Sequence, residues 1–143
     1  MKFKRIILAL LSGFLLTGCA VVPPQPSPSG EPPETSASTA EYLKLTTENA
    51  KEMMTENADL ILLDVRTDAE FLENRIDGAI LIPDFEISSR AEAELPNKDA
   101  LILIYCRSGR RSALAAQELV EMGYTNVYDF GGIIDWHYDT VSG

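Results

Sequence analysis

The sequence predicts an α/β fold, a central and mostly parallel five-stranded sheet with helices on both faces. Three observations predict it. Two continuous apolar runs, residues 60–65 (LILLDV) and 100–105 (ALILIY), have the character of central strands buried on both faces. Between and after them stand short segments with helical start and stop signals. Strands and short helices therefore alternate along the chain, which is the order of a parallel sheet.

The elements follow in turn. Residues 42–45 form a short strand, and Thr46 or Thr47 caps a helix reaching about residue 56, with Ala50, Met53 and Met54 on its apolar face. The run 60–65 is the second strand. Asp64 near its end is either a solvated terminus or a partner for an arginine of a later loop. Thr67-Asp68-Ala69-Glu70 is a capping box opening a short helix that Phe71 and Leu72 anchor. Gly78 breaks the chain before a third strand, 79–82, ended by Pro83. A helix over 88–95 closes at Pro96-Asn97. The run 100–105 is the fourth strand, and residues 112–122 form the next helix, capped by Gly123. Residues 126–128 make a fifth strand, and Gly131-Gly132 turns into a last helical piece, 133–138.

One stretch organises the rest: Cys106-Arg107-Ser108-Gly109-Arg110-Arg111-Ser112. It lies between the fourth strand and the following helix, at the carboxyl edge where parallel sheets bind ligands. A helix N-terminus offers unpaired N–H groups and about half a positive charge. Arg107, Arg110 and Arg111 add three more cations. Such surroundings lower a thiol's pKa and hold an anion against it. Cys106 is therefore placed as a nucleophile rather than as an inert core cysteine.

Charge agrees with that reading. The 143 residues carry 12 Lys+Arg against 22 Asp+Glu, a net charge of −10, so a nucleic-acid partner is excluded on electrostatic grounds. A cluster of three arginines in so acidic a chain suits a small anion. One histidine and two cysteines, Cys19 and Cys106, are too few ligands for a four-coordinate zinc site, no phosphate-binding glycine loop precedes a Lys-Ser/Thr pair, and no cofactor is expected.

The N-terminus carries a different message. A basic head, Met1-Lys2-Phe3-Lys4-Arg5, precedes an apolar run over residues 6–16. Its eleven residues rise about 16 Å as a helix, short of the roughly 30 Å hydrocarbon core, so the pattern is that of a secretory signal. Leu16-Thr17-Gly18-Cys19 resembles the lipobox of bacterial lipoproteins, in which the cysteine is lipidated and becomes the mature N-terminus. The expected organisation is a signal peptide over 1–18, a lipidated Cys19 (palmitate among its acyl chains) with a Pro/Ser-rich tether over 19–40, and a globular domain over 41–143. Ordinary cleavage nearby, leaving a free Cys19, is the alternative. All three cations before Cys19 leave with the signal and no acid does, so nine cations against 22 acids remain, net −13. Six of the eight prolines fall within residues 20–40, a segment that spans about 60 Å if fully extended. The expected location is the cell envelope, lipid-anchored to a bacterial membrane on the extracytoplasmic side, with no other membrane contact. Acylation of Cys19 would leave Cys106 as the sole thiol, without a resolving cysteine.

With those residues in place, the globular part resembles the single-domain rhodanese family of sulfurtransferases. Leu62-Leu63-Asp64-Val65-Arg66 with Glu70-Phe71 is similar to the family's LIDVR…EF signature. Residues 76–83 (IDGAILIP) resemble its HIxGAxNIP segment, CRSGRRS its CRSGxRS active loop, and Gly131-Gly132-Ile133 with Trp136 its closing GG…W. One departure stands out: Asn74-Arg75 replace the usual Gly-His. Asn tolerates a left-handed turn, and Arg75 either adds a cation to the pocket or faces water.

The resemblance implies a rhodanese-like fold and a thiosulfate sulfurtransferase-type enzyme. A small sulfur-containing anion is the donor, and an external thiol or protein cysteine is the acceptor. Cys106 would carry the sulfur as a persulfide, and the amides of residues 107–112 would curl around it. Arg107 and Arg110 face the mouth or are plain surface cations. Arg111 is expected to turn back onto Asp64, and Arg66 to pair with Glu70 four residues on. Ser108 supports the turn, Gly109 supplies an unusual backbone angle, and Ser112 is the N-cap or first turn of the helix. His137 is expected at the surface or in packing, and Trp136 as a core cover.

Three rival readings remain. A non-catalytic rhodanese-like binding module would have no need of the thiol. The same holds for a redox-sensing module of that kind, whereas a disulfide or persulfide relay would use an exposed lone thiolate, which oxidises easily outside the cell. Phosphatases and arsenate reductases on the same fold space cysteine and arginine as Cys-x5-Arg, whereas Cys106 and Arg111 are Cys-x4-Arg, one residue short of a phosphoryl cradle.

Overall fold

The computed structural model describes residues 41–143; the expected signal segment, Cys19 and the expected tether lie outside the described residues. The chain runs β1 (Leu43–Lys44), α1 (Thr47–Glu56), β2 (Ile61–Asp64), α2 (Asp68–Glu73) and β3 (Ile80–Leu81). A 3-10 turn, Asp84–Glu86, leads into α3 (Ile87–Glu94). Then come β4 (Leu101–Cys106), α4 (Arg110–Glu121), β5 (Asn126–Gly132) and a final 3-10 turn, Ile133–Asp135. All five strands are parallel, in the order β1-β5-β4-β2-β3.

The central position of β4 follows from its sequence. LILIYC is apolar at every position, and all but its first residue is buried. Side chains alternate across a strand, so Ile102, Ile104 and Cys106 join one core with Ala91 of α3 and Ala115, Ala116 and Leu119 of α4. Leu103 and Tyr105 join the other, with Ala50 of α1, Phe130 and Trp136. This period-two rule turns the thiol toward the α3/α4 layer.

Thr46 caps α1, accepting from the Asn49 amide at 3.3 Å, and Thr67 with Glu70 forms the expected capping box. Several boundaries differ from the sequence reading. Helix α4 begins at Arg110, two residues early, because left-handed Gly109 (φ 92°) is its N-cap; Ser112 lies in the first turn. Strand β5 runs on to Gly132, so Gly131-Gly132 belongs to the sheet instead of turning out of it. The last helical piece is only the 3-10 turn. Leu72 does not anchor α2, being 57% exposed; Phe71 is half-buried, with the Arg75 guanidinium over its ring.

Candidate active site

Cys106 is the last residue of β4. Its neighbour across the sheet is Gly132, reached after an irregularity: Ile104 pairs with Asp129 but Cys106 pairs with Gly132, so β5 holds one extra residue. The Asp129 carboxylate accepts the Gly131 amide at 3.0 Å and shapes that bulge. The active loop lies directly on Gly132. A Cβ there would meet the Arg107 carbonyl oxygen and stand 2.6 Å from Ser108 Cα, which leaves glycine as the residue that fits. Ser112 locks the far end of the loop, its buried hydroxyl lying 3.1 Å from the Gly109 carbonyl and 3.3 Å from that of Gly131. The Ile134 amide donates to the Arg107 carbonyl at 3.2 Å.

Within this frame the Gly109 amide donates to Cys106 Sγ at 3.1 Å. It is the one loop amide that reaches the sulfur among the described residues, so the expected ring of amides is a single contact before substrate arrives. The amides of Arg110, Arg111 and Ser112 open the first turn of α4, whose first helical bond is Ala113 N–H to the Gly109 carbonyl at 3.2 Å. Cys106 is 1% exposed. Its sulfur lies beneath the loop, between α4 and the sheet.

The arginines divide by position, with Arg107 and Arg110 exposed and Arg111 held by a carboxylate other than the one expected. Arg111 does not reach Asp64. It grips Glu70 with both terminal nitrogens, at 2.8 Å and 2.7 Å. Glu70 also accepts the Thr67 amide at 3.1 Å and hydroxyl at 3.0 Å, so one carboxylate closes the capping box and holds the loop's last arginine. The Arg111 hydrogen bonds, reinforced by those of Thr67, push the Glu70 carboxyl down to about 2. Asp64 is wholly buried and belongs to Arg66, which donates its backbone amide at 2.9 Å, Nε at 3.0 Å and Nη2 at 2.6 Å. The expected Arg66–Glu70 pair is absent for the same reason. Arg66 turns inward, 2% exposed, over the Tyr105 ring, and donates to the Asn74 side chain at 3.2 Å and its carbonyl at 2.6 Å. Burial, together with Asp64, pushes the Tyr105 hydroxyl up.

Asn74 and Arg75 also differ from expectation. Asn74 is extended (φ −162°), not left-handed. Arg75 stacks on Phe71 at 4.7 Å and donates to the Gly143 carbonyl at 2.6 Å, so it neither joins the pocket nor faces open water. Arg107 and Arg110 are exposed, with no ion-pair partner among the described residues. Beside the loop lies an open concavity of about 210 Å³ lined by Arg66, Glu70, Asn74, Arg107 and Ile134 among others. His137 is exposed and distant from the thiol's layer, and Trp136 covers the opposite core.

Sequence reasoning missed two members of the site. Glu70 was legible as a capping residue, but its second partner lies 41 positions away. Gly132 was legible only as half of a Gly-Gly pair; what demands it is a backbone that folding brings onto it.

Comparison with known proteins is consistent with this geometry. A family model described as Rhodanese-like domain matches residues 46–139. The chain is 37% identical over 81 residues to thiosulfate sulfurtransferase PspE of Escherichia coli, covering 57% of this chain and 78% of that protein. It is 37% identical over 94 residues to a sulfurtransferase of Allochromatium vinosum, covering 65% of this chain and 86% of that one. Among solved structures, a rhodanese with anions from E. coli superposes with a TM-score of 0.56 at 36% identity, over 59% of this chain and 99% of that one.

Proposed function

The chain belongs to the rhodanese-like domain family and is a rhodanese-type sulfurtransferase, and from that premise we propose that it moves a sulfane sulfur from thiosulfate, or a similar small anion, to a thiol through a Cys106 persulfide. The observation that carries this is the Cys106 sulfur held at 3.1 Å under the Gly109 amide, at the N-terminus of α4.

The chemistry follows from that position. The Cys106 thiolate, its proton given up to solvent, attacks the outer sulfur of the donor. A Cys106 S–S bond forms, and sulfite leaves with the electron pair of the bond that breaks. The added sulfur stands about 2.05 Å beyond Sγ, toward the first-turn amides of α4, which are suited to a terminal sulfur anion. An acceptor thiolate then attacks that outer sulfur and restores the Cys106 thiolate. Arg107 and Arg110, exposed and without an ion-pair partner among the described residues, attract the anionic donor, while Arg111 is held by Glu70 and fixes the loop. Asp64 and Arg66 support the strand end beneath it. Ser108, Gly109 and Ser112 set the loop's path. At the N-terminus, the signal-like segment and Leu16-Thr17-Gly18-Cys19 support a lipid anchor at Cys19 and an extracytoplasmic site in the bacterial envelope, with residues 20–40 as spacer.

The test is mass spectrometry after thiosulfate treatment, where one sulfur added at Cys106 is expected. Cys106→Ser should abolish thiosulfate:cyanide turnover with an unchanged far-UV spectrum. Turnover surviving in that variant would overturn the mechanism. Hydrolysis of an aryl phosphate, with thiosulfate ignored, would favour the phosphatase reading instead.

A further inference from the structure

The three most exposed large apolar side chains among the described residues are Phe85 (70%), Leu114 (62%) and Ile134 (61%), and each sits on an element that adjoins the active loop. Phe85 sits in the 3-10 turn after β3, which packs against α4. Leu114 is four residues after Arg110 on α4, so the two share a helix face. Ile134 follows β5 on the loop's other side, where its amide holds the Arg107 carbonyl. Apolar side chains thus flank the loop on both sides, with exposed Arg107 and Arg110 between them.

A small sulfur anion needs the arginines but no apolar rim. A small thiol needs neither. Cys106 is 1% exposed, so the outer sulfur of a persulfide is the part offered to an acceptor. Exposed apolar groups clustered at such a mouth are the mark of a protein contact. Two unpaired guanidiniums on a chain of net charge −10 select an acidic partner at this one face. We propose that the sulfur acceptor is an acidic protein presenting its cysteine on a segment with apolar flanks, docked on Phe85, Leu114 and Ile134. This rests on the persulfide reading. In the transfer, the partner's cysteine thiolate attacks the outer sulfur and a new S–S bond forms. The bond to Cys106 breaks with its electron pair left on Sγ, so the partner leaves as the persulfide.

The experiment uses two synthetic peptides of equal negative charge, one with cysteine flanked by leucine and phenylalanine, the other by serine and glycine. On thiosulfate-loaded protein the apolar peptide should discharge the persulfide about tenfold faster, the size of effect expected from burying roughly 60 Å² of apolar surface. In Phe85→Ser/Leu114→Gln that advantage should shrink to less than about twofold, with discharge to 2-mercaptoethanol unchanged. Equal rates for the two peptides on the unaltered protein, or an advantage that survives in the variant, would overturn the proposal. Serine-for-cysteine versions of both peptides, read by fluorescence anisotropy on untreated protein, separate docking from chemistry. If thiosulfate adds no sulfur to Cys106, the persulfide reading fails alone. Tighter binding of the apolar serine peptide, lost in the variant, then still supports the rim, and equal binding overturns it. A dimer of the unaltered protein that the variant loses would make this face a self-interface and overturn it as well.

Discussion

Two arginine–carboxylate pairs stand near the active loop, with the same chemistry and opposite settings. Asp64–Arg66 is sealed, its side chains 0% and 3% exposed, and both members come from one strand end. Glu70–Arg111 is partly wetted, at 24% and 20%, and joins the start of α2 to the start of α4. The sealed pair cannot separate without leaving a charge stranded in a low-dielectric interior. The wetted pair can be weakened by water and protons. Architecture thus rests on the first, and the position of the loop depends on the second.

Substitutions should separate these roles. The largest effect is expected from Asp64→Asn, which strands Arg66 and should cost about 3–5 kcal/mol in denaturant unfolding. A loss below about 1 kcal/mol would mean that Asn74 and the Tyr105 ring suffice to hold the guanidinium. Gly132→Ala comes next. It pushes the loop backbone off β5, and about 1–3 kcal/mol of overpacking is expected together with a large fall in kcat. Normal kcat in a folded Gly132→Ala protein would show that the loop tolerates a shift.

Glu70→Gln should be milder in stability, about 1–2 kcal/mol after allowance for solvent screening, but should loosen Arg111 and lower sulfurtransferase turnover. Its pH signature is distinctive. The Glu70 carboxyl lies near 2 in the folded chain against its usual 4.5. Its stabilising share is therefore complete above that usual value and is lost as pH falls toward 2. Unfolding between those limits should be flatter in Glu70→Gln than in the parent, and identical profiles would remove Glu70 from the account. The smallest effect on stability is expected from Arg110→Ala, an exposed cation without a partner. Its unfolding midpoint should barely move, while KM for thiosulfate rises. An unchanged KM would show Arg110 to be idle toward the donor.

The contrast also marks how far the sequence could be read. Local patterns sufficed for the strands at LILLDV and ALILIY, the Thr67–Glu70 capping box and the place of Cys106 before a helix. Each depends on contacts within a few residues. Spacing of four residues suggested Arg66–Glu70, and a shared carboxyl edge of the sheet suggested Arg111–Asp64, but neither pair forms. Arg66, read as a helix-surface residue, instead lies buried at the end of β2. Arg111, read as Asp64's partner, found that carboxylate already occupied.

By itself, then, the sequence determined an α/β sheet, a thiol at the carboxyl edge of a central strand and a cationic loop after it, because periodicity and capping are local physics. Only tertiary structure decided that Glu70 holds Arg111, that Gly132 underlies the loop, and that Phe85, Leu114 and Ile134 stay exposed on elements beside it. Those relations join β3, β5, α2 and α4, and the spacing between such elements is set by how the two cores pack rather than by any stretch of chain.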